Sequence, residues 1–349
     1  MHDKDTLMRE QSRFLGQEPE RLRAVRGREL YETLDGLGLG HAHFFKALGT
    51  NVEDYCAREF GVDLGRITVE RFFASDAEAK WLFPDIVRGA VIDGMRSRPR
   101  YPELIIRDER VAGAVCDVPY VRESESEEEL RDVAEGAAIP ESQIQYGDRI
   151  VRLDKRGRGV LASYEVVRRM SVDMLRVHLR RIGERLGRDL DARLAHVLAY
   201  GDSSGSATAP FVINTTTAGS WGYDDLMKGF IKLSLGHYFT PTHLLASADT
   251  LTNLLAIDAF QGTLLFDFAK TGQLPTPLGL TMVPMAGQPD HLITVMDAGY
   301  AVQKLTEQDL LVESDKLIHQ QWDRSYLTVV TDFAVIYDKA RVVVKSDWS

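Results

Sequence analysis

Ser163-Tyr164-Glu165-Val166, then Ser171-Val172-Asp173-Met174-Leu175, then the stop Gly201-Asp202 bound the stretch that decides the fold. Between these marks Val172, Leu175, Leu179, Ile182, Leu186, Leu190, Leu194 and Val197 recur at steps of three and four. That spacing lines one face of a helix. Ser171 suits its N-cap, and Gly201 suits the left-handed position past its end. Ser171 to Tyr200 makes about 30 residues, or roughly 45 Å at the helical rise. The opposite face carries Arg176, Arg180, Arg181, Glu184, Arg185, Arg188, Asp189 and Arg193, which read first as a solvated face. Gly183 and Gly187 each cost about 1 kcal/mol inside a helix, so another backbone is expected close by. The stretch is a beam, not the wall of an active site.

The remainder of the chain must supply what the beam supports. At 349 residues there is length for two lobes with sizeable cores, and 44% hydrophobic with 27% charged residues is ordinary for a folded protein. A net charge of −10 argues against a sequence-reading nucleic-acid binder, though a wall that only encloses DNA need not be basic. Cys56 and Cys116 stand far apart with no metal-like spacing, which points to a reducing compartment. Met1-His2-Asp3-Lys4-Asp5 has no apolar signal region, so the chain is expected in the cytosol when made. No apolar run approaches the about 20 residues of a membrane-spanning helix.

Ahead of the beam, residues 4–60 have a helical pattern, with Pro19 suited to a first turn and a second helix over Val52–Phe60. Large apolar residues are thin there, so the segment reads as an arm that must pack on something else. His41 and His43 lack the Cys or carboxylate neighbours of a metal site. Ser75 with Glu78 forms a capping-box pattern, Pro84 ends that short helix, and Asp85 opens another toward Met95. From Tyr101 to Ala162 the pattern turns to strands, with Leu104-Ile105-Ile106 and Val115–Val121 extended. Glu123-Ser124-Glu125-Ser126-Glu127-Glu128-Glu129 is a dense acidic run. Asp154-Lys155-Arg156-Gly157-Arg158-Gly159 reads as the basic, glycine-rich tip of a hairpin. A long two-stranded ribbon is not stable alone and needs a neighbour.

After the beam, Asp202–Gly219 is a polar loop, and Tyr223-Asp224-Asp225-Leu226 opens a helix. Strands over Thr242–Ser247, Leu280–Val283 and Leu292–Met296 alternate with helices, giving one α/β lobe from about 202 to 306. The tail is strand-dense: Leu310–Glu313, Leu317–Trp322, Tyr326–Tyr337 and Arg341–Val344. The beam is the obvious cover for these strands.

This order of parts resembles the major capsid protein of tailed bacteriophages, of the Hong Kong ninety-seven type, over roughly Phe73 to Val344. The residues that carry the likeness are Ser163-Tyr164-Glu165 before the spine helix, Gly201-Asp202 after it and Tyr223-Asp224-Asp225-Leu226 in the next lobe. Ala79-Lys80-Trp81-Leu82-Phe83-Pro84 and Leu311-Val312-Glu313-Ser314 also match in style. The resemblance implies an α+β capsid fold. Its parts would be an N-terminal arm (1–74), a P domain (75–100, 163–201 and 307–349), an extended E loop (101–162) and an A domain (202–306). It implies a shell subunit that assembles with itself as hexamers and pentamers around double-stranded phage DNA. Portal and scaffolding proteins, and a decoration protein, would be its partners, with the virion its destination and host cytoplasm its place of assembly. No cofactor, metal or catalytic residue is implied, and no membrane. An encapsulin-type compartment of the same fold is the near alternative. Family members that weld their shells with Lys–Asn bonds carry the Asn in the closing strands. Here Asn51, Asn214 and Asn253 all lie elsewhere, so Lys155 lacks such a partner and the shell is expected to be clasped non-covalently.

The candidate clasp is the basic set Lys155, Arg156 and Arg158 docking on acidic surface of a neighbour, with Glu127, Glu128 and Glu129 as one receptor. Arg180, Arg185 and Trp81 are further interface candidates. Gly201-Asp202-Ser203-Ser204-Gly205 fits the G-x-S-x-G pattern of serine hydrolases, the distant alternative. A helix precedes it where a nucleophile elbow needs a strand. Gly36, Gly38 and Gly40 follow no strand and make a weak dinucleotide fingerprint. His178 and His196 read as packing or surface residues.

Overall fold

The computed structural model describes residues 11–17, 22, 25, 27–37, 41–69, 71–72, 82–118, 133, 149–163, 165, 169–205, 208–257, 278–317 and 322–347. In chain order come helices α1 (Gly27–Gly36), α2 (His41–Ala47), α3 (Val52–Phe60), α4 (Phe83–Ser97) and the short α5 (Tyr101–Leu104). Strands β1 (Asp108–Arg110), β2 (Val115–Asp117), β3 (Ile150–Arg152) and β4 (Asp154–Ser163) lead to the long helix α6 (Val172–Tyr200). Then follow β5 (Phe211–Asn214), α7 (Tyr223–Ile231), β6 (His243–Ala246), α8 (Ala248–Leu255), β7 (Thr281–Pro284) and β8 (Leu292–Met296). Two long strands, β9 (Val302–Leu317) and β10 (Trp322–Val335), precede the last, β11 (Arg341–Lys345). The sheets run β1-β9-β10-β4, β5-β11-β8-β6-β7 and β2-β3, an α+β architecture as the resemblance implied.

One compact unit comprises Met1–Arg98, Gly157–Leu186 and Leu310–Val329. Here α6 begins as its sequence dictates: Ser171 Oγ accepts from Met174 N at 3.2 Å. The first helices do not form a thin arm. Phe44, Phe45, Leu48, Tyr55, Phe72 and Leu82 are buried together with Val172 at the foot of α6. The ring of Tyr55 meets Phe44, Phe45 and Phe60 edge-on, at 6.0, 5.4 and 5.9 Å. Aromatic rings bury far more area per residue than a count of aliphatics suggests, which corrects the sequence expectation. Asn51 caps α3 by accepting from Asp54 N at 2.7 Å, and Gly61 ends it with φ 63°. Cys56 lies in this core, where burial and then nearby Glu53 push its thiol up to about 12, so it is unreactive. Pro84 sits in the first turn of α4, which begins at Phe83 and not at Asp85. The Ser75 capping pattern, Pro19 and Trp81 lie outside the described residues.

The same unit corrects the hairpin tip. Asp154–Ser163 is one continuous strand, not a turn. A Cβ at Gly157 would stand 2.8 Å from Leu327 O, and one at Gly159 would stand 3.1 Å from Tyr326 Cε1. These glycines permit close approach of β10; they do not turn the chain.

The other unit comprises Pro99–Arg156, Gly187–Asp309 and Val330–Ser349. Its five-stranded sheet takes in the last strand, β11, between β5 and the central strand β8. β11 pairs parallel with β5 (Val342 opposite Phe211) and antiparallel with β8 (Val342 opposite Val295). The last strand therefore belongs to the α/β lobe and not to the closing strands of the beam region. Val342, Val343 and Val344 are all buried, as a continuous apolar run demands of a strand covered on both faces. Leu226, Leu251 and Leu254 of α7 and α8 cover one face, and Ala199 of α6 reaches Val343 on the other. β5 forms inside the stretch expected to be a polar loop. Leu104-Ile105-Ile106 also differs from expectation: Tyr101–Leu104 is a helical turn, capped by Asp191, which accepts from Arg100 N at 3.0 Å and Tyr101 N at 2.8 Å. β3 pairs with β2, Arg152 opposite Val115.

Candidate functional site, a buried polar node at the end of the long helix

α6 ends at Tyr200, and Gly201, at φ 101°, donates its N–H back to Val197 O at 2.8 Å. Its last carbonyls have no helical partners, and their dipole ends call for positive charge. Arg341 supplies both. Its side chain is fully buried, donating Nε to Leu198 O at 2.9 Å and Nη2 to Thr208 O. Burial, set against the fields of Asp202 and Asp338, pushes this guanidinium down to about 10, still charged at neutral pH.

Asp202 gathers the node. Its Oδ1 accepts from Ser204 N at 3.0 Å, from Thr208 Oγ1 at 3.1 Å and from Ser204 Oγ; its Oδ2 accepts from Val335 N at 2.9 Å and from Arg149 Nη2. Burial by itself would raise this carboxyl, but the Ser204 bond, the Arg149 charge and the two backbone N–H groups hold it below its ordinary value. Arg149 also donates Nε to Ser204 Oγ at 3.0 Å. The Gly201–Gly205 loop is thus a hydrogen-bonded knot. Ser203 Oγ accepts from Arg152 N at 2.9 Å, and a helix, not a strand, precedes the serine.

Two similar anchors occur in the same unit. Arg193 of α6 holds Asp332 of β10 in a two-pronged pair, both bonds at 2.8 Å. Asp225, third in α7, accepts from Thr216 N at 2.8 Å, Thr216 Oγ1 at 2.7 Å, Gly222 N at 3.1 Å and Lys228 Nζ at 3.1 Å. Its carboxyl is held below its ordinary value by those bonds, burial acting the other way. The Tyr223-Asp224-Asp225-Leu226 stretch is therefore a loop-to-helix clasp.

Of the predicted interface residues, Lys155 and Arg158 are exposed on β4, while Arg156 is half-buried and pairs with Asp154 at 3.7 Å. Arg180 and Arg185 are exposed on α6. Glu127, Glu128, Glu129 and Trp81 lie outside the described residues, as do the side chains of His41 and His43. His178 joins Glu165, Arg169, Met170 and Met174 around an open cleft of about 370 Å³. Sequence reasoning missed Arg149 and Arg341. The one signal for Arg341 was a charge set against three valines. No cluster of metal-ligating side chains occurs among the described residues, nor any helix long and apolar enough to cross a membrane.

Residues 146–345, more than half the chain, match the family described as phage capsid protein. In structure the chain is similar to the virus-like particle from Pyrococcus furiosus, with TM-score 0.53 at 12% identity over 75% of this chain and 99% of that one. It is similar to the capsid of a native GTA particle, with TM-score 0.54 at 15% identity over 74% of this chain and 90% of that one. A chain of Mycobacterium phage Che8 gives TM-score 0.51 at 14% identity over 71% and 92%. No curated protein matches the sequence. The chain belongs to the phage capsid protein family, and it is a major capsid shell protein with the capsid fold.

Proposed function

We propose that copies of this chain assemble as hexamers and pentamers into a closed icosahedral shell around double-stranded phage DNA. What carries the reading is the family match, which spans the long helix, the α/β lobe and the closing strands. In this reading residues 1–74 form the N-terminal arm, 101–162 the E loop, 202–306 together with the last strand β11 the A domain, and 75–100, 163–201 and the closing strands from 307 up to β11 the P domain. Portal and scaffolding proteins join it during assembly in host cytoplasm, a decoration protein is a further partner, and the finished place is the virion. The subunit has no catalytic role. Electron microscopy of the expressed protein tests this. Closed shells that fill with DNA or carry a tail are expected, whereas small shells loaded with a protein cargo would make it an encapsulin-type compartment. A chain that stays monomeric at high concentration would end the proposal.

Lys155 and Arg158 remain the candidate clasp. Lys155→Glu with Arg158→Glu is expected to cut particle yield several-fold, with an unchanged circular dichroism spectrum of the monomer. Equal yield of wild-type and variant particles would remove both from the contact. Arg156 is left alone in this test because its ion pair with Asp154 belongs to the subunit's own structure.

A further inference from the structure

The crossing of α4 and α6 carries an arginine ridge whose charge is only partly neutralised. The helices touch backbone to backbone: a methyl on Gly94 would overlap the Arg180 carbonyl group, and one on Gly183 would overlap Val91 O. Below the crossing, Val87, Val91, Leu179 and Leu186 fill the core with Leu310 and Leu327. Above it stand Arg98, at the end of α4, and Arg180, Arg181 and Arg185 of α6, all exposed. Among the described residues, one carboxylate pairs with a member of this set. Glu184 accepts from Arg181 Nη1 at 2.5 Å, and that bond, with the fields of Arg181, Arg98 and Arg180, holds its carboxyl below the ordinary value.

Two other arginines of α6 are neutralised locally, Arg176 by Glu53 and Arg193 by Asp332. Arg98, Arg180 and Arg185 form no salt bridge among the described residues. The helix uses six arginines and no lysine. Guanidinium groups present a planar fork of donors that matches phosphate oxygens, which an ammonium does not. In a chain of net charge −10, self-repulsion among these groups serves no purpose inside the subunit. An anion from outside relieves it.

We propose that this ridge, Arg98, Arg180, Arg181 and Arg185 on the α4–α6 crossing, is a docking surface for the phosphate backbone of double-stranded DNA. The inference rests on the reading of the chain as a DNA-enclosing shell subunit and gives that shell a point of contact with its contents. Contact is with phosphates alone, so it is independent of base sequence and falls steeply with salt.

The test is fluorescence anisotropy of a labelled duplex of about 30 base pairs with the purified full chain, between about 50 and 200 mM salt. Wild type is compared with Arg180→Ala/Arg185→Ala and with Arg66→Ala, an exposed arginine of the same unit that pairs with Asp63. The double variant is expected to bind at least about tenfold more weakly and to lose roughly 2 from the log–log salt slope, about 0.9 per phosphate contact. Arg66→Ala should match wild type. Failure of wild type to bind, or an equal slope in the double variant, overturns the proposal. So does a double variant that binds DNA normally but loses particle yield. The ridge would then hold an acidic segment of a second copy, such as the Glu123–Glu129 run. Particle formation, imaged on the same samples, separates the outcomes. Shells with unchanged DNA content in the variant sink the ridge and leave the shell standing, whereas absence of wild-type shells sinks the shell reading itself.

Discussion

Asp202→Ala is expected to lower the thermal unfolding midpoint of the isolated chain by roughly 6 °C. Removing the carboxylate leaves Arg149 buried with an uncompensated charge, and strands Val335 N, Ser204 N and Ser204 Oγ without their acceptor. Breaking one side of a buried pair costs about 3–5 kcal/mol, and about 1 kcal/mol moves the midpoint of a chain of 349 residues by roughly 1.5 °C. Three further measurements make the attribution specific. Asp202→Ala/Arg149→Ala should cost less than the sum of the two single changes, because the stranded charge is gone. The pH dependence has a definite sign. The folded carboxyl is held below its unfolded value of about 3.9, so its contribution is complete above that value and is lost as pH falls through the lower folded value. The gap between wild type and Asp202→Ala in urea titrations should therefore be full at pH 7 and shrink toward zero on the acid side of about pH 4. A gap of equal size at pH 7 and well below pH 4 would show that shape, and not charge, is what Asp202 supplies.

The node also marks where sequence reasoning stops. The long helix was legible in full, because periodicity fixes a face and Ser171 and Gly201 fix the ends; both do what their chemistry predicts. Gly201-Asp202 was legible as an exit turn. Its role as a knot was not, because Arg149 lies 53 positions away in the chain and Arg341 arrives from the last strand. A salt bridge between distant segments leaves no spacing to read. The same blindness hid β11: three valines announce a buried strand and say nothing about which sheet receives it. Gly157 and Gly159 failed for a different reason. Glycine marks both a turn and a close backbone approach, and a local pattern of charged residues and glycines favours the turn. The N-terminal core was underrated because Phe44, Phe45 and Tyr55 are scattered among polar residues, yet helices bring their rings into edge contact.

Gly183→Ala is the second large effect, and its sign is the informative part. By helix propensity alone the change would stabilise α6 by up to about 1 kcal/mol. Its methyl, however, would overlap Val91 O and stand 2.8 Å from Met95 N, both backbone atoms of α4 that no rotamer change can move. The two helices must part, loosening Val87, Val91, Leu179 and Leu186 against Leu310 and Leu327. Overpacking of this kind costs about 1–3 kcal/mol. Gly94→Ala meets Arg180 in the same way and should destabilise likewise. Because one separation of the helices relieves both clashes, Gly94→Ala/Gly183→Ala should cost clearly less than the two added together. Gly89 provides the contrast within α4: it is exposed, and a methyl there meets nothing within 4 Å. Gly89→Ala should therefore raise the urea midpoint, while Gly183→Ala lowers it. If both alanines shift the midpoint in the same direction, close approach of the backbones is not what these glycines provide. The rigid mount of the arginine ridge would lose its basis with it.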